Sequence, residues 1–161
     1  MKKLIYRYIF PVFRVVSFVL LFTTEGTGQS LTLGGGNQTL TINSGIPGGQ
    51  LVDVVNATCT LSYVIPLLPL RNWKITVNST CPGQNFDLSV VATNVTRGTA
   101  APEVTLLSGN PAIDFITGIG PSFWQSYSCR LNYTASATFA QGNSTEVGND
   151  VHTVTYTLLQ P

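Results

Sequence analysis

CTLSYVIPLLPLRNWKITVNSTC, residues 59–81, holds two β-like runs between two cysteines, with a proline-marked break in the middle. Folded as a hairpin centred on Leu70, it pairs Ile65 with Ile75, Tyr63 with Val77, Leu61 with Ser79 and Cys59 with Cys81. The register that aligns the apolar rows also aligns the thiols. Directly opposed residues come within about 5.5 Å Cβ to Cβ, and a disulfide needs about 4 Å. The spacing therefore predicts a Cys59–Cys81 disulfide, closing a loop of about 20 residues and stabilising the fold by roughly 3 kcal/mol in the chain-entropy picture. The chain has three cysteines. The competing pairing joins Cys81 to Cys129 and leaves Cys59 free. Either pairing makes the stretch a staple, not a reactive site.

The same alternation continues outward. Strands are expected near 30–33, 38–43, 51–65, 73–80, 85–94, 103–107, 112–116, 128–139 and 151–159, rich in Val, Ile, Thr, Tyr and Leu. Glycine, proline and asparagine separate them, in GGGN, SGIPGG, CPGQ, TRGTAAP, SGNPA and GIGPS. Trp73, Ile75, Val77, Ser79 and Cys81 share one face of their strand. Cys129, Leu131, Tyr133, Ala135, Ala137 and Phe139 form a second such row, and Phe86, Leu88, Val90 and Ala92 a third. The opposite faces carry Thr, Asn and Ser, which keep β propensity while tolerating water. Short strands with frequent turn signals predict an all-β chain: an immunoglobulin-like antiparallel β-sandwich of about 7–9 strands.

The first 28 residues read differently. Lys2, Lys3, Arg7 and Arg14 precede the apolar run VVSFVLLF, and small residues follow in GTGQS. That order is the layout of a secretory signal peptide cleaved after Gly28. The uninterrupted apolar run from Val15 to Phe22 is far shorter than the roughly 20 residues of a membrane-spanning helix. The expected organisation is a signal peptide over 1–28 and one sandwich domain over 29–161. Residues 29–46 are a separable N-terminal strand segment hinged at GGGN. The expected location is secreted, extracellular or cell-surface, with the periplasm as the variant, and no membrane contact after cleavage. The chain from Gln29 onward has four basic residues (Arg71, Lys74, Arg97, Arg130) and six acidic ones, a net charge of −2. No basic patch is left to hold phosphates, so nucleic acid is not an expected partner.

The search for chemistry is short. Cys59, Cys81, Cys129 and His152 together have the composition of a Cys3His zinc site, but secretion favours disulfides over thiolate ligands. A Cys129/His152 nucleophilic dyad is disfavoured because Cys129 lies on an apolar row, where a thiolate is costly. Neither a metal nor a cofactor is therefore expected. Asp53, Asp87, Glu103, Asp114, Glu146 and Asp150 each fit a turn or an outer strand face, and a glycosidase needs two of them at a defined separation. No nucleophile elbow, metal motif or phosphate loop is present, so no catalytic residue is assigned and the hydrolase reading is remote. GNSTEVGND (142–150) offers oxygens for calcium without the alternating acids of an EF-hand loop, and reads as a polar turn. Phe123, Trp124 and Tyr127 form an aromatic loop, a candidate glycan-stacking surface if exposed and a plug for the sandwich end if buried. N-x-S/T sequons begin at Asn37, Asn56, Asn78, Asn94, Asn132 and Asn143. With a bacterial-looking Lys-Lys start, they read as a product of Thr/Asn-rich composition.

QSLTLGGGNQTLTINSG at the start of the expected mature chain and VHTVTYTLLQP at its end, with the cysteine stretch and LNYTASATFAQG, carry a resemblance. The pattern resembles secreted bacterial β-sandwich proteins of the fimbrial-subunit and spore-coat-U kind, and Gln29 as first residue resembles secreted proteins of Bacteroidetes. The resemblance implies an immunoglobulin-like domain, a last strand of alternating apolar residues and often one disulfide. In chaperone–usher pilins an N-terminal strand completes the neighbouring subunit's sheet. That family also favours a glycine fourteen from the end, here Gly148, and a penultimate tyrosine, where this chain has Gln160. The expectation is a non-enzymatic surface structural or adhesive protein. Its partner would be itself or another surface subunit, with Leu31, Leu33, Leu40 and Ile42 as the inserted side chains. The alternative is a carbohydrate-binding module using Trp124 and its neighbours.

Overall fold

A computed structural model describes residues 28–42, 51–68, 70–123, 125–138 and 150–161. The expected signal peptide (up to residue 27), Trp124, Phe139 and Asn143 lie outside the described residues. Nine strands form two antiparallel sheets, and no helix occurs among the described residues. The strands are β1 (Ser30–Gly34), β2 (Val54–Val64), β3 (Trp73–Thr80), β4 (Asp87–Thr93), β5 (Thr99–Ala100), β6 (Val104–Thr105), β7 (Ile113–Ile119), β8 (Ser126–Ser136) and β9 (Thr153–Leu159). One sheet has the order β1-β2-β8-β4-β6 and the other β5-β7-β3-β9. The chain is an all-β antiparallel sandwich, as its alternation predicts.

The core is built from the expected rows. Trp73, Ile75, Val77, Ser79 and Cys81 are all buried, as are Leu88, Val90 and Ala92, and Cys129, Leu131 and Tyr133. From β2 come Cys59, Leu61 and Tyr63. Burying a side chain of the size of Leu or Ile is worth roughly 1.5–3 kcal/mol, so these rows supply most of the drive to fold. Tyr133 of β8 and Tyr156 of β9 join their hydroxyls across the two layers at 2.8 Å. Thr76 is buried on the outer face of β3, which is flanked by β7 and β9.

The opening stretch does not fold as a hairpin. β2 pairs β1 and β8, whereas β3 pairs β7 and β9 in the other sheet. The segment between them is an arch from one layer to the other. Pro66 sits in this connector without an amide donor for a tight turn ladder. The apolar rows of β2 and β3 still face each other, but through the core rather than side by side. With its hairpin gone, the Cys59–Cys81 disulfide goes too: all three cysteines are free and buried. The alternative Cys81–Cys129 bridge is likewise not formed: Asp150, beside Cys81, is bonded to Phe86, and the next residue, Asp87, pairs with Ser136, so Cys81 lies at the Ser136 end of β8 while Cys129 lies seven residues away along that strand. Cys59 pairs with Leu131 and Leu61 with Cys129, so the two thiols are diagonal on adjacent strands. Diagonal positions lie about 7–8 Å apart, beyond disulfide reach.

Smaller differences are local. The described part of the expected 38–43 strand, residues 38–42, is not a strand, although Leu40 packs against the core. TRGTAAP, expected as a turn, contributes the two-residue β5. The strand order also differs from the constant-type immunoglobulin arrangement, in which the second strand pairs the fifth and the third pairs the sixth. Among the seven longer strands here, the second pairs the sixth and the third pairs the fifth and seventh.

Candidate functional sites

At one end of the sandwich, β3 runs out into Cys81 and the chain returns through Asp150 and His152 into β9. The β3–β9 ladder matches Ser79 with Val154 and Thr80 with Thr153. One further step sets Cys81 beside His152. Asp150 and His152 are two apart in extended chain, a spacing that puts both side chains on one side. One ligand atom from each of Cys81, Asp150 and His152 lies within 4.8 Å of the other two. Sequence reasoning had matched His152 with three cysteines. The fold brings it one of them, together with Asp150, an acid that by sequence fits a turn or an outer strand face. The available signal was the D-x-H spacing just before a strand.

The three groups are held from behind. Asp150 Oδ2 accepts the backbone N–H of Asn85 and of Phe86, both at 2.8 Å, and Oδ1 accepts Asn85 Nδ2 at 3.2 Å. His152 Nδ1 lies 3.0 Å from Ser79 Oγ. The Cys81 N–H donates to Ser108 Oγ at 2.8 Å, and the Ser108 N–H to Gln84 Oε1 at 2.8 Å. Cys81 is 1% exposed. Burial raises its thiol pKa, and the Asp150 charge raises it further. Burial works against the Asp150 carboxylate, but the Phe86 and Asn85 donors outweigh it and hold its pKa below the ordinary value. Burial lowers the pKa of His152 against the pull of Asp150, which favours the neutral ring. As a nucleophile Cys81 is therefore poorly prepared: buried, protonated and beside a negative charge.

A second feature is the flank where β1 and β9 end their sheets. β9 pairs β3 on one side and, among the described residues, nothing on the other. Its sequence, TVTYTLL, has no charge and no proline. Thr153, Thr155 and Thr157 are exposed, and Val154, Tyr156 and Leu158 are half-buried against the core. β1 occupies the edge of its own sheet, with Ser30 through Gly34 matched to Val64 through Thr60. Of the four candidate inserted side chains, Leu31 and Leu40 pack on the core, Ile42 is half-buried and Leu33 is 47% exposed. Near the end of β9, Gln29, Pro66, Leu68, Trp73, Leu158, Leu159 and Gln160 line an open hollow of about 430 Å³.

The aromatic loop divides. Phe123 is 72% exposed. Tyr127 is committed to the protein: its hydroxyl bonds Ser122 Oγ at 2.7 Å and Gln125 Oε1 at 3.1 Å, and its ring packs 6.0 Å from Tyr63. The Arg97 guanidinium lies 5.7 Å from the Tyr127 ring centre.

No family model matches this chain, and no curated protein or solved structure matches it.

Proposed function

We propose that this chain is a non-enzymatic building block of a secreted, cell-surface structural or adhesive assembly, joined by β-strand addition. The observation that supports this reading best is the bare edge of β9. Sheet edges are ordinarily guarded by charge, proline, bulges or brevity. This one is seven residues long and has none of those guards among the described residues. The occupant is the N-terminal segment, residues 29–42, of a second copy. Its alternating Leu31 and Leu33 suit a strand role, and Gly35 and Gly36, at φ of 105° and 63°, form a hinge behind it. In an isolated chain the segment lies on β2, on the same flank as β9, so exchange replaces one edge pairing with another.

The alternative carbohydrate-binding reading retains Phe123 as an exposed ring, but Tyr127 is taken up in internal contacts. Assembly is therefore the better supported reading. The test is light scattering on a sizing column with the chain from Gln29, the same chain from Pro47, and Thr155→Lys/Thr157→Lys. The parent should form oligomers that grow with concentration. Lysines on the β9 edge should leave a folded monomer, and so should removal of residues 29–46. A parent that stays monomeric at high concentration, or lysines without effect, would overturn the reading.

A further inference from the structure

We propose that Cys81, Asp150 and His152 form a binding site for a transition-metal dication of the zinc type, with one coordination position left for water. The proposal is independent of strand addition, since none of these residues belongs to the bare edge.

Three observations carry it. The first is the donor set. A thiol sulfur, an imidazole nitrogen and a carboxylate oxygen are zinc's three protein donor types, whereas calcium and magnesium take oxygen. The second is convergence from two parts of the chain, at the end of β3 and ahead of β9, with every donor pair within 4.8 Å. Ligands of a tetrahedral ion bound at about 2.0–2.3 Å sit roughly 3.3–3.7 Å apart, so closure needs side-chain adjustment of about an ångström. The third is the outer shell. Metal-bound histidine ordinarily has its other ring nitrogen fixed by a hydrogen bond, and ligating carboxylates are held the same way. Here Ser79 Oγ engages His152 Nδ1 and fixes the ring, while Asn85 and Phe86 hold the Asp150 carboxylate.

The chemistry balances simply. Binding replaces the Cys81 S–H bond with a sulfur–metal bond and releases one proton to solvent. His152 enters neutral, and Asp150 is already ionised. Three protein ligands leave a fourth position open, as in sites that hold a water. The neighbouring reading, a Cys–His–Asp nucleophilic triad, asks a buried thiol to ionise beside a carboxylate with no cation present. A bound dication removes that conflict.

The experiment uses the chain from Gln29, which contains both sheets, kept reduced and freed of metal with a chelator. Cobalt(II) is titrated first and zinc second. The expected result is one cobalt per chain, with a thiolate-to-cobalt ultraviolet band and the visible absorption of a tetrahedral ion, displaced by one equivalent of zinc. Cys81→Ser should abolish the ultraviolet band. Removing a second-shell partner typically costs 10–100-fold in affinity, so losing the Cys81 or His152 ligand should cost at least about a hundredfold. His152→Gln should keep the sulfur band at saturating cobalt. Zinc should also raise the melting temperature of the parent and not of Cys81→Ser. Absence of stoichiometric cobalt binding by the parent overturns the proposal. So does a sulfur band that survives Cys81→Ser, because the ion then sits on Cys59 or Cys129.

Discussion

Tyr133 and Tyr156 show how single polar atoms behave inside this core. Their hydroxyls satisfy each other at 2.8 Å, and the Tyr156 ring packs 5.5 Å from that of Phe115. Removing one partner leaves the other hydroxyl buried and unpaired, a penalty of about 1–3 kcal/mol, whereas removing both is close to neutral. Urea unfolding should find Tyr133→Phe and Tyr156→Phe each destabilising and the double variant less so than their sum. Strictly additive losses would mean the hydroxyls do not act as a pair. Alkali tests another pair. Burial first, then the neighbouring Cys129, push Tyr63 from its ordinary 10.0 up to about 12, and burial pushes Cys129 from 9.0 up to about 11. The fold keeps protons that the unfolded chain releases above pH 9.0. Their contribution to stability is therefore complete below that pH and is lost as pH rises through about 11 and 12. The melting temperature should fall steadily above pH 9.0, and Tyr63→Phe with Cys129→Ala should flatten that slope.

At the scale of elements, the link from β4 to β5 turns on Gly98. Its φ is +94°, and an added Cβ would meet Ile116, Ile119 and the Thr117 carbonyl at 2.9 Å. Gly98→Ala combines a strained backbone with a collision, and a cost of about 1–3 kcal/mol is expected in thermal unfolding, with an unchanged fold. Unaltered stability would mean that the β7 side chains yield freely. The arch between β2 and β3 marks the boundary of what alternation conveys. Period two assigns Tyr63, Leu61, Trp73, Ile75 and Val77 to the inner face, and all five are there. The same pattern suits a neighbour across the core as well as a neighbour within the sheet. Read as a hairpin, the stretch puts β2 and β3 in one ladder, and the disulfide follows from that ladder alone. The two prolines of IPLLPL are the local cue in the sequence, since a tight hairpin turn has little room for both.

At the scale of the whole molecule, a chain with 9% charged residues builds its surface from Thr, Ser and Asn. Among the described residues there is one ion pair, Lys74 to Asp114 at 2.7 Å, half-exposed on the outer face of β3 and β7, where such pairs contribute about 0–1 kcal/mol. Stability therefore rests on the two facing rows and not on charge. That much was legible, because burial in a sandwich follows a local repeat. The Cys81 cluster was not, because it joins residues about 70 positions apart through the β3–β9 register, a long-range pairing that no local pattern encodes. Only the D-x-H spacing hinted that two of its members would point together.

The hollow near the end of β9 has Gln29 and Gln160 in its wall, so both ends of the described chain emerge at one pole of the sandwich. The Cys81 cluster stands at the other pole, beyond the far end of the same two strands. Seven residue steps along β3, from Trp73 to Thr80, span about 23 Å at 3.3 Å per step. A chain beginning at Gln29 and anchored to a bead, a sensor chip or a carrier through Gln29 or Pro161 would face the solution with that opposite pole. Attachment geometry alone would then decide which end of the molecule a soluble probe meets first.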